Sequence, residues 1–573
     1  MSEEKKMTGY PSLDKPWLKH YKEESINFEI PECSVYDFMS QNNKGYENEI
    51  AFIYFGRRIT YGELLANIDK TALAFTAMGI KKGDIVMICT LNTPETVYCI
   101  YALNKIGAKI DFEYPTLSDK DLYSAIEMLE IKAVILLDVF APKYRDIKKY
   151  VDNVVYISPA SSLPAVKKTL YKMKVKGVID TFYDFINKDY SNVKVIKESF
   201  EPNEPAIIFH TGGSTGVPKG VLLSNKNFNA LALQFKHSEI TYGRQDVYLH
   251  SIPPFHAYGF SVGIHMPLSL GMSICMSVKI DDASILELFY KFKPQHFAGT
   301  SNNMMNIMAD KKISGRSMSY LKSIAVGGAS ANDVDENVVN DFLKAHNANC
   351  KLMVGYGMTE VCAAVCTNMD RCNKAGSVGI PLPKSTVIVI DTDTHEELGY
   401  DVSGELCISS PCVMLGYYNN EEENKNAIIE YNGKRWIRSG DLASIDRDGF
   451  VTIRGRLKRI YGTKDVKTGT FYKIFPDYIE KIIYKESDVQ HCAVICLSDN
   501  GRRVNYPVAF IVTDKDKEAV KNKVIKRYES ELPEHAHPES IVFLDKLPLT
   551  PVGKVDYSHL EKMAEEMNKG RVR

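Results

Sequence analysis

The sequence predicts an α/β protein: a large N-terminal domain of helix-covered sheets built from several subdomains, followed by a small α+β domain. Three observations predict it. The chain has 573 residues, more than one hydrophobic core organises. Short apolar runs with strand character alternate with longer stretches that carry helix caps, the pattern of sheets covered on both faces. Towards the C-terminus the order changes to two strands, a helix and a further strand, which reads as a separate α+β layer.

Thr60-Tyr61-Gly62-Glu63 reads as a capping box that opens a helix with apolar Leu64, Leu65, Ile68, Ala72 and Leu73, ending near Gly79. Ile85 to Cys89 is a strand. Thr93-Pro94-Glu95 supplies an N-cap, a proline at the first helical position and an acidic first turn for a helix running towards Gly107. Ala133 to Leu137 and Asn153 to Ile157 are further strands, and Ala206-Ile207-Ile208-Phe209 and Val221-Leu222-Leu223 are two strands joined by a glycine-rich loop. The terminal layer has strands near Cys492 to Leu497, Val508 to Val512 and Ile541 to Leu544, with a helix from about Lys517 to Leu532. No internal repeat is visible.

Composition excludes several classes. Lysine and arginine number 71 against 72 acidic residues, so no global field draws the chain to nucleic acid. The 12 cysteines are scattered, with Cys362/Cys366 and Cys492/Cys496 the closest pairs and no Cys-x-x-Cys, which reads as free thiols in a reducing compartment. Met1 to Tyr10 is polar, so no signal peptide is expected and the expected location is the cytoplasm. The longest apolar region, about Leu249 to Val278, is interrupted by Pro253, Pro254, His256 and His265 and is no membrane span. The segment from Val166 to Lys176 carries five lysines among apolar residues. It reads either as a solvated surface insertion or as a peripheral contact with an anionic membrane.

The run His210-Thr211-Gly212-Gly213-Ser214-Thr215-Gly216-Val217-Pro218-Lys219-Gly220 carries the chemistry. Glycines let successive backbone N–H groups approach phosphate oxygens, the hydroxyls of Thr211, Ser214 and Thr215 donate further bonds, and Lys219 adds charge. Lys219 is followed by glycine and a strand rather than by serine or threonine and a helix, which argues against a Walker loop. This loop resembles the phosphate loop of the adenylate-forming superfamily of acyl-CoA synthetases and CoA ligases. Further segments resemble that family in its order. Gly355-Tyr356-Gly357-Met358-Thr359-Glu360 is similar to the adenine and metal motif, Ser439-Gly440-Asp441-Leu442 to the ribose motif, and Leu547 to Lys554 to the loop bearing the catalytic lysine. Gly455-Arg456-Leu457-Lys458-Arg459 resembles the interdomain hinge, which places the boundary between an ATP- and acid-binding domain, 1–456, and a mobile domain, 457–573. The resemblance covers roughly residues 50 to 557.

The resemblance implies ATP, Mg²⁺ and coenzyme A as reactants and cofactor. Tyr356 would lie against the base, Thr359 would bond a phosphate, Glu360 would hold Mg²⁺, Asp441 the ribose, Arg456 the ribose or phosphate, and Lys554 would bridge the acyl oxygen and α-phosphate. Lys458 would be the pivot about which the small domain turns between two half-reactions. The acid pocket would take Phe255 and His256 from Pro253-Pro254-Phe255-His256, then Gly328, Ala329, Ser330, Val361 and Cys362. These are mostly small and apolar, and no aspartate follows Phe255 to pair with an ammonium, so fatty or aromatic monocarboxylates are expected. After the hinge the chain departs from its relatives: Arg456 to Pro476 is longer by about six residues, and Phe471 stands where a glycine shapes the pantetheine tunnel. Two alternatives therefore stay open, a ligase that loads a carrier-protein phosphopantetheine and a non-catalytic AMP- or acid-binding module.

Overall fold

The computed structural model describes residues 7–174, 181–195, 201–211, 219–276, 278, 282–327, 336–464, 470–499, 504–550 and 555–571. Two large sheets dominate. The first has seven strands in the spatial order Gly416–Tyr417, Lys219–Ser224, Pro205–Thr211, Lys109–Phe112, Ile85–Cys89, Ala133–Leu137 and Asn153–Ile157. Its last five strands in that order pair in parallel. Alternate residues feed two cores: Val86, Ile88, Ala133 and Ile135 join the main one, and Met87, Cys89, Val134 and Leu136 join a second under the Asp119–Met128 helix. A strand buried on both faces has to be apolar throughout, and these are.

The second sheet has nine strands, with a parallel centre running from Ile50–Tyr54 through Ser273–Met276, Val247–His250, His296–Gly299 and Ser323–Val326 to Leu352–Tyr356. A third, five-stranded antiparallel sheet carries the long strand Lys434–Ile445 between Gly404–Ser409 and Val451–Arg456. One continuous apolar core runs from Trp17 to Val451. Beyond it, the antiparallel strands His491–Asp499 and Val504–Val512, with Ser540–Phe543 alongside, form a separate sheet with its own two cores. Cys492, Val494 and Cys496 face the Lys517–Glu531 side and Ala493, Ile495 and Leu497 face the Tyr557–Arg571 side, the period-two alternation of a strand covered on both faces.

The helix caps follow the sequence closely. Thr60 Oγ1 accepts from Glu63 N at 3.1 Å, and Thr93 Oγ1 accepts from Thr96 N at 3.2 Å. The expected capping box at Thr60 is only half formed. Glu63 pairs with Arg57 across the turn instead of reaching back, because an ion pair is a stronger partner for its carboxylate than one backbone N–H. All 12 cysteines are free. No helix of the described residues is long and apolar enough to cross a membrane.

Candidate active site

Strand ends bring the predicted nucleotide residues together. Tyr356 ends the strand Leu352–Tyr356, and Asp441 lies directly across from Arg456 in the antiparallel pair formed by Lys434–Ile445 and Val451–Arg456. Tyr356 Oη donates to Asp441 Oδ2 at 2.5 Å, and Arg456 Nε donates to Asp441 Oδ1 at 2.9 Å. The Asp441 backbone N–H is fixed by Ser439 Oγ at 3.0 Å. Burial raises the pKa of Asp441, while Arg456 and the Tyr356 hydroxyl pull it back down. The carboxylate expected to meet a ribose is thus already held by two side chains that were themselves expected at the nucleotide.

A second cluster adjoins this one. Glu360, in the short turn Thr359–Val361, accepts at Oε1 from Tyr417 Oη at 2.9 Å. Lys219 Nζ lies 4.9 Å from the centre of the Tyr417 ring and is ion-paired with Glu423. Thr211 stands opposite Lys219 in the hairpin, with Thr211 Oγ1 3.5 Å from the Lys219 carbonyl oxygen. Glu360 acts electrostatically on both Asp441 and Arg456, so the two clusters share one field. The Glu360 carboxylate is a hard oxygen donor, which suits Mg²⁺ better than a softer ion. Gly357 is required beside this turn: a Cβ there would stand 1.7 Å from the Ala363 carbonyl oxygen. Cys362 and Ala363 follow with φ of +65° and +143°, strained values for residues that carry a Cβ.

The segment expected to line the acid pocket gathers around Tyr114. Its ring lies 4.8 Å from that of Phe255 and 5.4 Å from that of His256, and its hydroxyl donates to the His210 carbonyl at 3.2 Å. Tyr114 therefore links the pocket segment to the root of the phosphate loop. Val361 and Cys362 are fully buried, and the Cys362 thiol sits 3.5 Å from Ser261 Oγ. Below the same root, His210 Nε2 is 2.7 Å from Asp111 Oδ1 and 3.3 Å from Glu113 Oε1, all three groups buried. Burial alone would lower the His210 pKa, but the two carboxylates outweigh it and hold it up at about 9. Burial pushes Glu113 up to about 7, against the pull of His210.

The segment expected to act as the hinge, 455–459, is clasped from the C-terminal side. Asp477 Oδ2 accepts from the Arg456 backbone N–H at 2.9 Å, and its other oxygen pairs with Arg459. Arg459 also reaches Glu480 at 2.8 Å and stacks 3.7 Å over the Tyr557 ring. Gly455, with φ of +145°, leaves room for this: a Cβ would meet Asp477 Oδ2 at 2.7 Å. Lys458 is exposed in the turn Leu457–Arg459. Gly212, Gly213, Ser214, Thr215, Gly216, Gly328, Ala329, Ser330 and Lys554 lie outside the described residues.

The motifs and their geometry converge with a match to family models: the AMP-binding enzyme family over residues 39–418, and the C-terminal domain of AMP-binding enzymes over 478–554. The chain belongs to the AMP-binding enzyme family. Among curated relatives of this AMP-binding enzyme is the long-chain-fatty-acid–CoA ligase of Bacillus subtilis (strain 168), 26% identical over 557 residues that span 94% of this chain and 96% of that protein. The anthranilate CoA ligase AuaEII in complex with anthranoyl-AMP has the same fold, with a TM-score of 0.79 at 19% identity over 94% of this chain and 98% of that one. So does o-succinylbenzoate coenzyme A synthetase from Bacillus subtilis with ATP and magnesium, at a TM-score of 0.73 and 21% identity over 90% and 98%. Tyr114, Tyr417, Glu423, Asp477 and the Asp111–Glu113–His210 cluster escaped the sequence reading. Glu423 lies 204 residues from its partner Lys219, and nothing local marks either one for the other.

Proposed function

We propose that this AMP-binding enzyme is an AMP-forming acid–thiol ligase that activates a fatty or aromatic monocarboxylate with ATP and transfers the acyl group to coenzyme A. The observation that carries the reading is the meeting of Tyr356, Asp441, Arg456, Glu360 and Lys219 at the strand ends, around the root of the glycine-rich loop. Residues 1–456 form the ATP- and acid-binding domain and 457–573 the mobile one.

In the first half-reaction an oxygen of the acid attacks the α-phosphorus of ATP, and the bond to pyrophosphate breaks. Thr211, Lys219 and the loop 212–216 hold the departing phosphates, Asp441 and Arg456 anchor the ribose side, and Lys554 neutralises the charge that builds between acyl oxygen and α-phosphate. Glu360 is the residue that would hold Mg²⁺, and the bound ion supplies neutralisation of phosphate charge. Lys219 must leave Glu423 to meet a phosphate, an exchange of one anionic partner for another. Phe255, His256, Val361 and Cys362, with Gly328 to Ser330, line the acid. In the second half-reaction the small domain turns about Lys458, the thiolate attacks the acyl carbonyl, and AMP leaves as the carbon–oxygen bond breaks.

The test is pyrophosphate release over acids from acetate to palmitate, benzoates and hydroxycinnamates, each with and without coenzyme A. Turnover on one class that depends on coenzyme A supports the reading, and silence across the panel opposes it. One observation favours a second acceptor: Phe471 is 77% exposed on the hairpin Tyr461–Lys464 and Phe471–Ile474 that follows the hinge. Turnover with a phosphopantetheine-loaded carrier protein but not with free coenzyme A would establish that alternative.

A further inference from the structure

The lysine-rich segment forms the helix Ala165–Lys174, which follows the edge strand Asn153–Ile157 of the seven-stranded sheet. Among its described side chains, those that meet the protein lie on one side. Lys168 and Tyr171 are half-buried, and Lys168 Nζ donates to the Ser161 carbonyl at 3.2 Å. Val166, Leu170 and Met173, spaced four and three apart, form one stripe and are 74%, 51% and 74% exposed. Three large apolar side chains in line on solvent need a reason, since isolated exposed apolar residues are common and contiguous ones are not.

Charge says what covers the stripe. No aspartate or glutamate occurs between Asp152 and Asp180, while Lys167, Lys168, Lys172, Lys174 and Lys176 fall within that interval. The cationic character continues onto neighbouring elements. Lys167 Nζ lies 3.4 Å from the Phe55 carbonyl oxygen, at the turn between Ile50–Tyr54 and Arg57–Thr60. Exposed Arg58 follows on the strand Arg57–Thr60, and Lys291 Nζ stands 3.8 Å from where a Cβ of Gly56 would be. An apolar protein partner would leave these cations unmatched, whereas an anionic lipid surface accepts both the stripe, into its acyl boundary, and the lysines, at its headgroups.

We propose that the helix Ala165–Lys174 is a peripheral docking element for anionic membranes. The site it serves is not part of the argument, and the test needs neither ATP nor an acid, so its failure and that of the ligase reading are distinguishable. The full chain is sedimented with phosphatidylcholine vesicles and with vesicles carrying about one third phosphatidylglycerol. Binding is expected to the anionic vesicles, weakening as salt is raised, with little to the neutral ones. Leu170→Gln/Met173→Gln and Lys172→Gln/Lys174→Gln are each expected to weaken it by about tenfold or more. Far-ultraviolet circular dichroism of both variants should match wild type. Absence of anionic-vesicle binding overturns the proposal, as does binding that both variants retain. A wild-type dimer that Leu170→Gln/Met173→Gln converts to monomer, without vesicle binding, would assign the stripe to a second copy of the chain instead.

Discussion

At Asp441 a buried carboxylate is shared by a phenol and a guanidinium, and under the proposed function this pair presets the ribose side of the nucleotide site. Hydrogen bonds to a charged partner contribute about 1.5 to 3 kcal/mol each, so Asp441→Asn should raise the KM for ATP by about tenfold to a hundredfold in a pyrophosphate-release assay. Tyr356→Phe removes one neutral donor and should cost less. His210 lends itself to a pH measurement. Its pKa in the fold, about 9, exceeds the ordinary histidine value, so its contribution to stability is complete below about pH 6.5 and is lost as pH rises towards 9. Glu113, held up at about 7, adds a loss of the same sign between about pH 4.5 and 7. Thermal unfolding should therefore show wild type losing its advantage over His210→Gln as pH is raised from about 6.5 to 9.5. A difference that stays constant would show that the cluster carries no titrating charge. At neutral pH, removing the cation from two buried carboxylates should cost about 3 to 5 kcal/mol.

Among the elements, the hinge has the most to lose from a single change. Arg456 is tied to Asp441 through its side chain and to Asp477 through its backbone N–H, so one residue connects the carboxylate proposed for the ribose to the segment after the proposed hinge. The proposed rotation about Lys458 would have to release the Asp477 contact. Lys458→Pro fixes φ at the pivot and should spare adenylate formation while impairing thioester formation, read as separate single-turnover rates with and without coenzyme A. Equal loss in both steps would remove Lys458 from the pivot role. The elements of the seven-stranded sheet were legible in sequence because their signals are local: Thr93-Pro94-Glu95 announces its helix, and Ile85 to Cys89 its strand. The contacts that close the site were not. Asp477 meets Arg456 across 21 residues, and Tyr114 meets Phe255 and His210 only because the sheet places them together. Glu63 shows the same limit within one turn, since the partner that takes it from the capping box, Arg57, lies on the preceding strand.

For the whole molecule, the apolar cores of the large part and those of the small sheet lie on either side of the segment 457–459, an arrangement that would let each part stay rigid under the proposed rotation. The main core ends at Val451 and those of the small sheet begin at Ile474, so a turn at 457–459 disrupts neither. Tyr356, Glu360, Asp441, Arg456 and Lys219 could be picked out in sequence because glycine-rich and carboxylate motifs carry their chemistry in short runs. The choice of acid was less legible, since an apolar pocket is defined by shape and shape comes from distant residues. The measurement that tests the central claim most directly is phosphorus NMR of ATP incubated with the preferred acid and coenzyme A, for wild type and for Lys554→Ala. The account predicts AMP and pyrophosphate in equal amounts, at a rate lowered about 10²-fold or more in the variant. Formation of ADP and phosphate, or a Lys554→Ala enzyme that turns over at the wild-type rate, would contradict it.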